Sequence, residues 1–408
     1  MSVKLHNIAL AQFIHCARNS LSVLLILCLV LHHWPALGDE IPELQGWESK
    51  MIHNGKKWGE YLNPENGHSV DERLGAQYYD SQWVFYQIAD YTGNREPWYT
   101  YASYARQIYF DEYLIPNEFR AQGYRRFPEG LYQDFRRGGK ITIESLRLIR
   151  DMPAFSTVDS LTRGPDHRSG YSEVLSREVA YTVGANILAE KAGLNRVHES
   201  DGTPRLKPLV SMMENHLWQW RTQDFSDSDI SRVAPFMMGL TAYALIEFHE
   251  WEVQNNRDPT AYWPQTHWPT IQSALYAVFT WLHDEAMVIS SEDEITIRMW
   301  VPMKRIGYAT FRYMDRTIPE VGAPTPAPDL NLLVAHVYYW LFYQTGEEQF
   351  KSIGDQLFAG GVRYGSPEWS GKHFNQLYRL SFKAFDWRAA RTHNKTVRPD
   401  HSEKVVYP

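Results

Sequence analysis

The chain has 408 residues, 44% of them hydrophobic and 14% aromatic, with 41 basic against 48 acidic side chains and a formal net charge of −7. That length and apolar share suffice for a sizeable core, while the acidic balance argues against nucleic acid or an anionic membrane as a partner of the whole chain. The only cysteines are Cys16 and Cys28.

The first elements read as a secretory signal peptide over residues 1–38. Lys4 and Arg18 make a weakly basic start, and an apolar run from Leu21 to Leu31 follows. The run stops at His32 and His33, short of the roughly 20 residues a bilayer span needs. Ala36-Leu37-Gly38 then offers the small-x-small pattern of a cleavage site ahead of Asp39. We expect a secreted or periplasmic protein with no membrane contact after cleavage; the alternative is an uncleaved anchor. Cleavage removes both cysteines, so disulfides, thiolate metal sites and cysteine nucleophiles are excluded from the mature chain. It leaves 39 basic side chains against 48 acidic, a formal charge of −9.

Residues 39–72 read as an N-terminal extension. From there paired helices are expected at 73–114, 171–222, 235–286 and 328–362, with a last buried helix at 372–388. Ile271, Ala274, Leu275, Val278, Phe279 and Leu282 recur at helical spacing on one face, as do Leu206, Leu209, Val210, Met213, Leu217 and Trp220. These are helices with one buried stripe. Met237 to Trp251, Leu330 to Phe342 and Tyr171 to Leu188 are apolar nearly all round, which demands cover on most sides. The expected inner helices are therefore 73–91, 171–190, 235–253, 328–344 and 372–388. The junctions Tyr91-Thr92-Gly93-Asn94 and Gln344-Thr345-Gly346-Glu347 repeat one design, a glycine able to reverse the chain in the left-handed conformation.

Two stretches interrupt the pattern. Residues 115–170 form an Arg-rich excursion with at most one helix, near Thr142 to Arg150. Residues 288–328 contain Ile295 to Val301 and Tyr308 to Tyr313, which alternate like strands and predict a small β-hairpin turning about Lys304-Arg305. Residues 391–408 read as a tail.

Helix hairpins with enclosed first members and solvated second members stack as a solenoid or close into a ring. This all-α pattern over 73–390 resembles the (α/α) toroid proteins, the six-hairpin glycosidases and related polysaccharide lyases. The closing segment from Gly371-Lys372-His373-Phe374-Asn375-Gln376 to Trp387-Arg388 is similar to the end of uncharacterised exported bacterial proteins of that type. The resemblance implies a sugar cleft lined by the ends of the inner helices. The full catalytic motif of no characterised toroid family is present.

Several constellations fit such chemistry. The densest runs from Arg163 to Glu178 and places His167, Arg168, Tyr171, Glu173 and Arg177 where a loop leads into a buried helix, whose N-terminus favours an anion. At the start of the last buried helix, His373 and Tyr378 have the chemistry of base and acid for β-elimination of a uronate, with Asn375 and Arg379 to hold its carboxylate. Asp80, Glu173 and Asp329 are acidic candidates for the two-carboxyl machinery of glycoside hydrolysis. Arg125 and Arg126 lie in a basic stretch interleaved with Tyr124, Phe127, Tyr132 and Phe135, suited to an anionic sugar chain. For each set the plain alternative is structural: a capped helix, satisfied core residues, or a solvated loop.

No Gly-x-Ser-x-Gly, phosphate loop, dinucleotide fingerprint or His-Glu-x-x-His occurs, and no cofactor or metal is called for. The expected partner is a polysaccharide or oligosaccharide, with an anionic chain favoured. The reading is a glycoside hydrolase or polysaccharide lyase; the alternative is a non-catalytic exported glycan-binding or scaffold protein on the same fold.

Overall fold

The computed structural model describes residues 41–120, 123–152, 175–223, 234–289, 294–296, 302–304, 309–311 and 326–392. The chain divides into residues 1–44 and 45–408, and the helices from Gln45 onward belong to the second unit. That unit is mostly helical. Among the described residues no helix is long and apolar enough to cross a membrane.

Fourteen α-helices are described: α1 Leu44–Tyr61, α2 Val70–Gln77, α3 Ser81–Thr92, α4 Trp98–Arg106, α5 Pro128–Arg136, α6 Ile143–Arg150, α7 Ser176–Lys191, α8 Leu206–Thr222, α9 Pro235–Gln254, α10 Ile271–Ala286, α11 Ala335–Thr345, α12 Glu348–Tyr364, α13 Gly371–Tyr378 and α14 Ser381–Thr392. A π-helical stretch, Gln107–Leu114, prolongs α4, and a 3₁₀ helix, Pro328–Leu333, precedes α11.

The apolar patterns decide who packs where. Thr270 caps α10 with a side-chain bond to Ser273, and the stripe from Ile271 to Leu282 is buried as its spacing demands. The helix α9, apolar all round, is buried along most of its length between α7, α10 and α11. Further along, α3 meets α4 and α5, α5 meets α6 and α7, α7 meets α8 and α9, and α11 meets α12 and α14. From α14, Phe382 and Phe385 lie against Tyr91 of α3, and Gln87 Nε2 donates to the Arg379 carbonyl, so the succession of neighbours returns to α3. Gly93 and Gly346 both take the left-handed conformation (φ 67° and 77°) that their junctions suggested.

Four features differ from expectation. Residues 41–72 of the expected extension pack into the helical unit: Trp47 of α1 donates to Ser381 Oγ, meets Phe382, Phe385 and Tyr91 edge-on, and gives its carbonyl to Tyr378, while Trp58 donates to the Pro367 carbonyl. The described residues of the excursion 115–170 include two α-helices, α5 and α6, where at most one is expected. Pro128 at the first position of α5, with Glu129 in its first turn, was a helix-start signal that the dense arginines obscured.

The first and last inner helices are each broken, at Tyr78–Asp80 and at Arg379–Leu380. The strands also pair differently. Glu294–Thr296 pairs antiparallel with Pro302–Lys304, and Met287–Ile289 with Ala309–Phe311, so Lys304 lies in a strand opposite Glu294 and is not the turn of the hairpin. Alternation marks strand faces but does not set register when both faces are mixed.

Candidate functional site

The break between α2 and α3 carries an unusual backbone. Tyr79 and Asp80, neighbours and neither of them glycine, both have positive φ (71° and 70°). Such conformations cost free energy and persist where the surroundings hold them. Here Asn375 of α13 does the holding: its Nδ2 reaches the carbonyls of Ala76 (3.0 Å) and Tyr78 (2.8 Å) and Ser81 Oγ (2.8 Å). Asp80 is thereby set as the cap of α3, with Oδ1 accepting from Trp83 N (3.2 Å).

Its other oxygen, Oδ2, accepts from Gly130 N at 2.8 Å, in the first turn of α5. Only glycine fits there, since a Cβ at 130 would lie 2.4 Å from Asp80 Oδ1 and 2.9 Å from Trp83 N. The residue before it, Glu129, is buried, and its Oε1 accepts from Arg379 Nη2 at 2.7 Å. Arg379 Nη1 reaches Tyr181 OH (3.3 Å), and its guanidinium lies over the rings of Tyr181, Trp83 and Phe127 at 5.1, 5.6 and 5.9 Å. Four helices, α3, α5, α7 and α13, with their caps, thus contribute to one buried group of two carboxyls, one cation and aromatic faces.

Electrostatics separate the charges. Burial, followed by the charge on Glu129, pushes the Asp80 carboxyl up to about 7, against the opposing pull of Arg379 and two backbone N–H groups. Burial works against the Arg379 cation, but Glu129, Tyr181 and Asp80 hold its pKa above the ordinary arginine value. Burial raises the Tyr181 hydroxyl well above the usual range.

At the N-terminal ends of α7 and α13 a second group surrounds Tyr78. Arg177 Nη1 donates to Tyr78 OH at 3.3 Å and pairs with Glu178 at 2.9 Å, while Lys372 Nζ lies 5.5 Å from the Tyr78 ring centre. Arg177 also faces Tyr124 at 5.3 Å. Nearby, His373 Nδ1 bonds Ser370 Oγ (2.7 Å) and Nε2 stands 4.0 Å from Asp329 Oδ2. Asp329 is no helix cap; it lies inside the 3₁₀ helix, whose cap is Ala327.

The candidates therefore sort as follows. Asp80, Arg379 and Arg177 are drawn together with groups the sequence reading had not connected to them, chiefly Glu129 and Tyr181. His373 and Asp329 adjoin each other. Tyr378 is a correction: it is fully buried and its hydroxyl donates to the Trp47 carbonyl (3.0 Å), so it holds α13 to α1 and is no acid. Arg126 is a second correction, fully buried with its guanidinium given to Thr182 Oγ1 and the Met152 carbonyl. Asn375 is a third, its Nδ2 donor group spent on the Tyr78–Ser81 turn rather than on a ligand's carboxylate. Arg125 is half-buried between Tyr113 and Tyr124. His167, Arg168, Tyr171 and Glu173 lie outside the described residues. Among the described residues no cluster of His, Cys, Asp and Glu has the makings of a metal site.

Comparison of the chain with known protein families, with curated proteins and with solved structures finds no match.

Proposed function

We propose that the protein is an exported glycoside hydrolase acting on an acidic polysaccharide, built as a closed toroid of six helix hairpins. The inner members would be α2–α3, α5, α7, α9, α11 with its 3₁₀ lead, and α13–α14. Their partners would be α4, α6, α8, α10, α12 and α1. What supports the ring is the return of neighbours from α14 to α3. Export rests on the signal-like first 38 residues, and the resemblance to the toroid glycosidases and lyases gives the substrate class.

The observation that carries the enzymatic reading is the pair Asp80 and Glu129. A buried carboxyl raised toward neutrality beside a second carboxyl paired with an arginine is an arrangement suited to acid-assisted glycoside cleavage. Asp80, with a pKa near 7, keeps a proton under mildly acidic to neutral conditions and is the donor to the departing glycosidic oxygen. Glu129, held by Arg379, supplies the negative charge that stabilises the anomeric carbon as the C–O bond breaks. Water then completes the reaction, its hydroxyl going to the anomeric carbon and its proton back to a carboxylate. Arg177 and Lys372 beside Tyr78 favour an anionic sugar chain. With Tyr378 committed to the core, the elimination chemistry has lost its acid, which is why hydrolysis is preferred to lysis.

One observation favours the second reading, a glycan-binding protein without turnover. Both Asp80 oxygens accept backbone N–H bonds, a pattern that also suits a purely capping role. Incubating the purified mature chain with uronic-acid polymers separates the readings. New reducing ends without unsaturated ends mark the hydrolase, unsaturated ends mark a lyase, and affinity without either marks a binding protein.

A further inference from the structure

Asn375 on α13 finds partners in the fold for its Nδ2, the Ala76 and Tyr78 carbonyls and Ser81 Oγ. His336 does not. It is the second residue of α11, 1% exposed, and neither Nδ1 nor Nε2 has a hydrogen-bond partner among the described residues. Its ring meets Tyr243 edge-on, centroids 6.0 Å apart. Burying a polar group without a partner costs stability, and native proteins rarely keep one without a use for it.

Oε2 of Glu129 and Nε of Arg379 are further buried atoms of this kind, and the charges of both residues act on Tyr243. Tyr243 connects them to His336. Its ring lies 6.0 Å from Trp83 and 5.2 Å from Lys383 Nζ, and its hydroxyl is pushed up by burial and by the charges of Glu247 and Glu129.

The three open groups have a definite chemistry. Burial, then Lys383, holds the His336 imidazole down at about 3, so it is neutral and offers one donor and one acceptor. Arg379 Nε adds a donor and Glu129 Oε2 an acceptor. A divalent cation is disfavoured by Arg379 and Lys383, and a phosphate or sulfate would set its negative charge against Glu129 and Glu247. A sugar hydroxyl, donor and acceptor at once, matches the set, and a pyranose carries several beside faces suited to the Tyr243 and Trp83 rings.

We propose that His336, with Glu129 Oε2 and Arg379 Nε around Tyr243, is a subsite that binds the hydroxyls of one sugar ring. This rests on the glycan reading of the Asp80–Glu129 group and names a specificity-setting residue within it. His336 forms no part of the acid-base pair; it selects the ring.

The test uses the mature chain with His336→Leu and His336→Gln. Calorimetric affinity for oligosaccharides of galacturonic and of glucuronic acid is measured beside the melting temperature. The subsite predicts at least a tenfold loss of affinity in His336→Leu at an unchanged or higher melting temperature, because an apolar side chain removes an unpaired buried polar group. Glutamine, whose amide keeps both a donor and an acceptor group, retains part of the affinity. Wild-type affinity in both variants would overturn the subsite, as would a lowered melting temperature in His336→Leu that His336→Gln restores with affinity unchanged. If the unaltered protein neither binds nor cleaves any of these sugars, the glycan reading itself fails and the subsite fails with it. If it binds them and His336→Leu binds them equally, only the subsite fails.

Discussion

Arg379 Nη2 donates to Glu129 Oε1 at 2.7 Å across 250 residues of sequence, with the guanidinium fully buried. The pair ties the break between α13 and α14 to the first turn of α5, and Glu129 is also the charge that raises Asp80. Removing one partner strands the other charge in the core. Arg379→Ala and Glu129→Gln are each expected to lose about 3–5 kcal/mol in denaturant unfolding. Arg379→Lys is not expected to recover the loss, since an ammonium cannot serve Glu129 and Tyr181 with a planar fork.

Because the folded-state pKa of Asp80 stands near 7, hydrolysis driven by its proton falls as pH rises through that value. A rate profile on the cleaved polymer is predicted to show its alkaline limb near 7. A limb displaced by two units or more would assign the donor elsewhere.

Acid stability is set by a different layer. Glu247 lies one turn beyond Tyr243 on α9 and pairs with Lys191 (3.0 Å) and Lys383. Burial opposes its charge, but the two lysines win and depress its pKa. A depressed carboxylate stabilises the fold above its unfolded pKa of about 4.5, and the contribution is lost as pH falls below it. His336, neutral when folded, adds a loss that begins earlier, as pH falls below about 6.5. Asp80 works the other way, since a carboxyl raised to about 7 in the fold adds stability as pH falls through that value. Melting temperature is therefore predicted to change little between pH 6.5 and 4.5 and to drop below 4.5, while His336→Leu, freed of the histidine loss, should melt higher as pH falls across the upper window.

Tyr378→Phe and Gly130→Ala separate support from chemistry. The first removes only the bond to the Trp47 carbonyl, so about 1 kcal/mol of stability goes and turnover stays. The second drives a methyl group into Asp80 Oδ1, costing roughly 1–3 kcal/mol and displacing the proton donor, so turnover falls together with stability.

Why some of this was legible in the sequence is a matter of spacing. The stripe from Ile271 to Leu282 and the all-round apolar helix 235–254 reveal their roles because burial is periodic, and Gly93 and Gly346 mark chain reversal because few other residues adopt positive φ. Asp80 and Arg379 were recognisable as candidates by residue type. Glu129 was not, because it follows a proline inside an arginine-rich stretch and its meaning comes from Arg379, which only the tertiary fold brings near. Tyr378 misled for the converse reason: a tyrosine beside a histidine and an arginine has the look of chemistry, and only its burial against Trp47 shows otherwise. The broken helices at Tyr78–Asp80 and Arg379–Leu380 left no glycine or proline to announce them.

The most direct test of the central claim is reducing-end release from uronic-acid polymers by the mature chain and by Asp80→Asn, each checked for its melting transition. The account predicts new reducing ends from the unaltered protein, without unsaturated ends, and a loss of at least a hundredfold in Asp80→Asn while that variant still melts cooperatively and still binds the polymer. Release that persists undiminished in a folded Asp80→Asn, or no release from any uronate polymer by the unaltered protein, would contradict it.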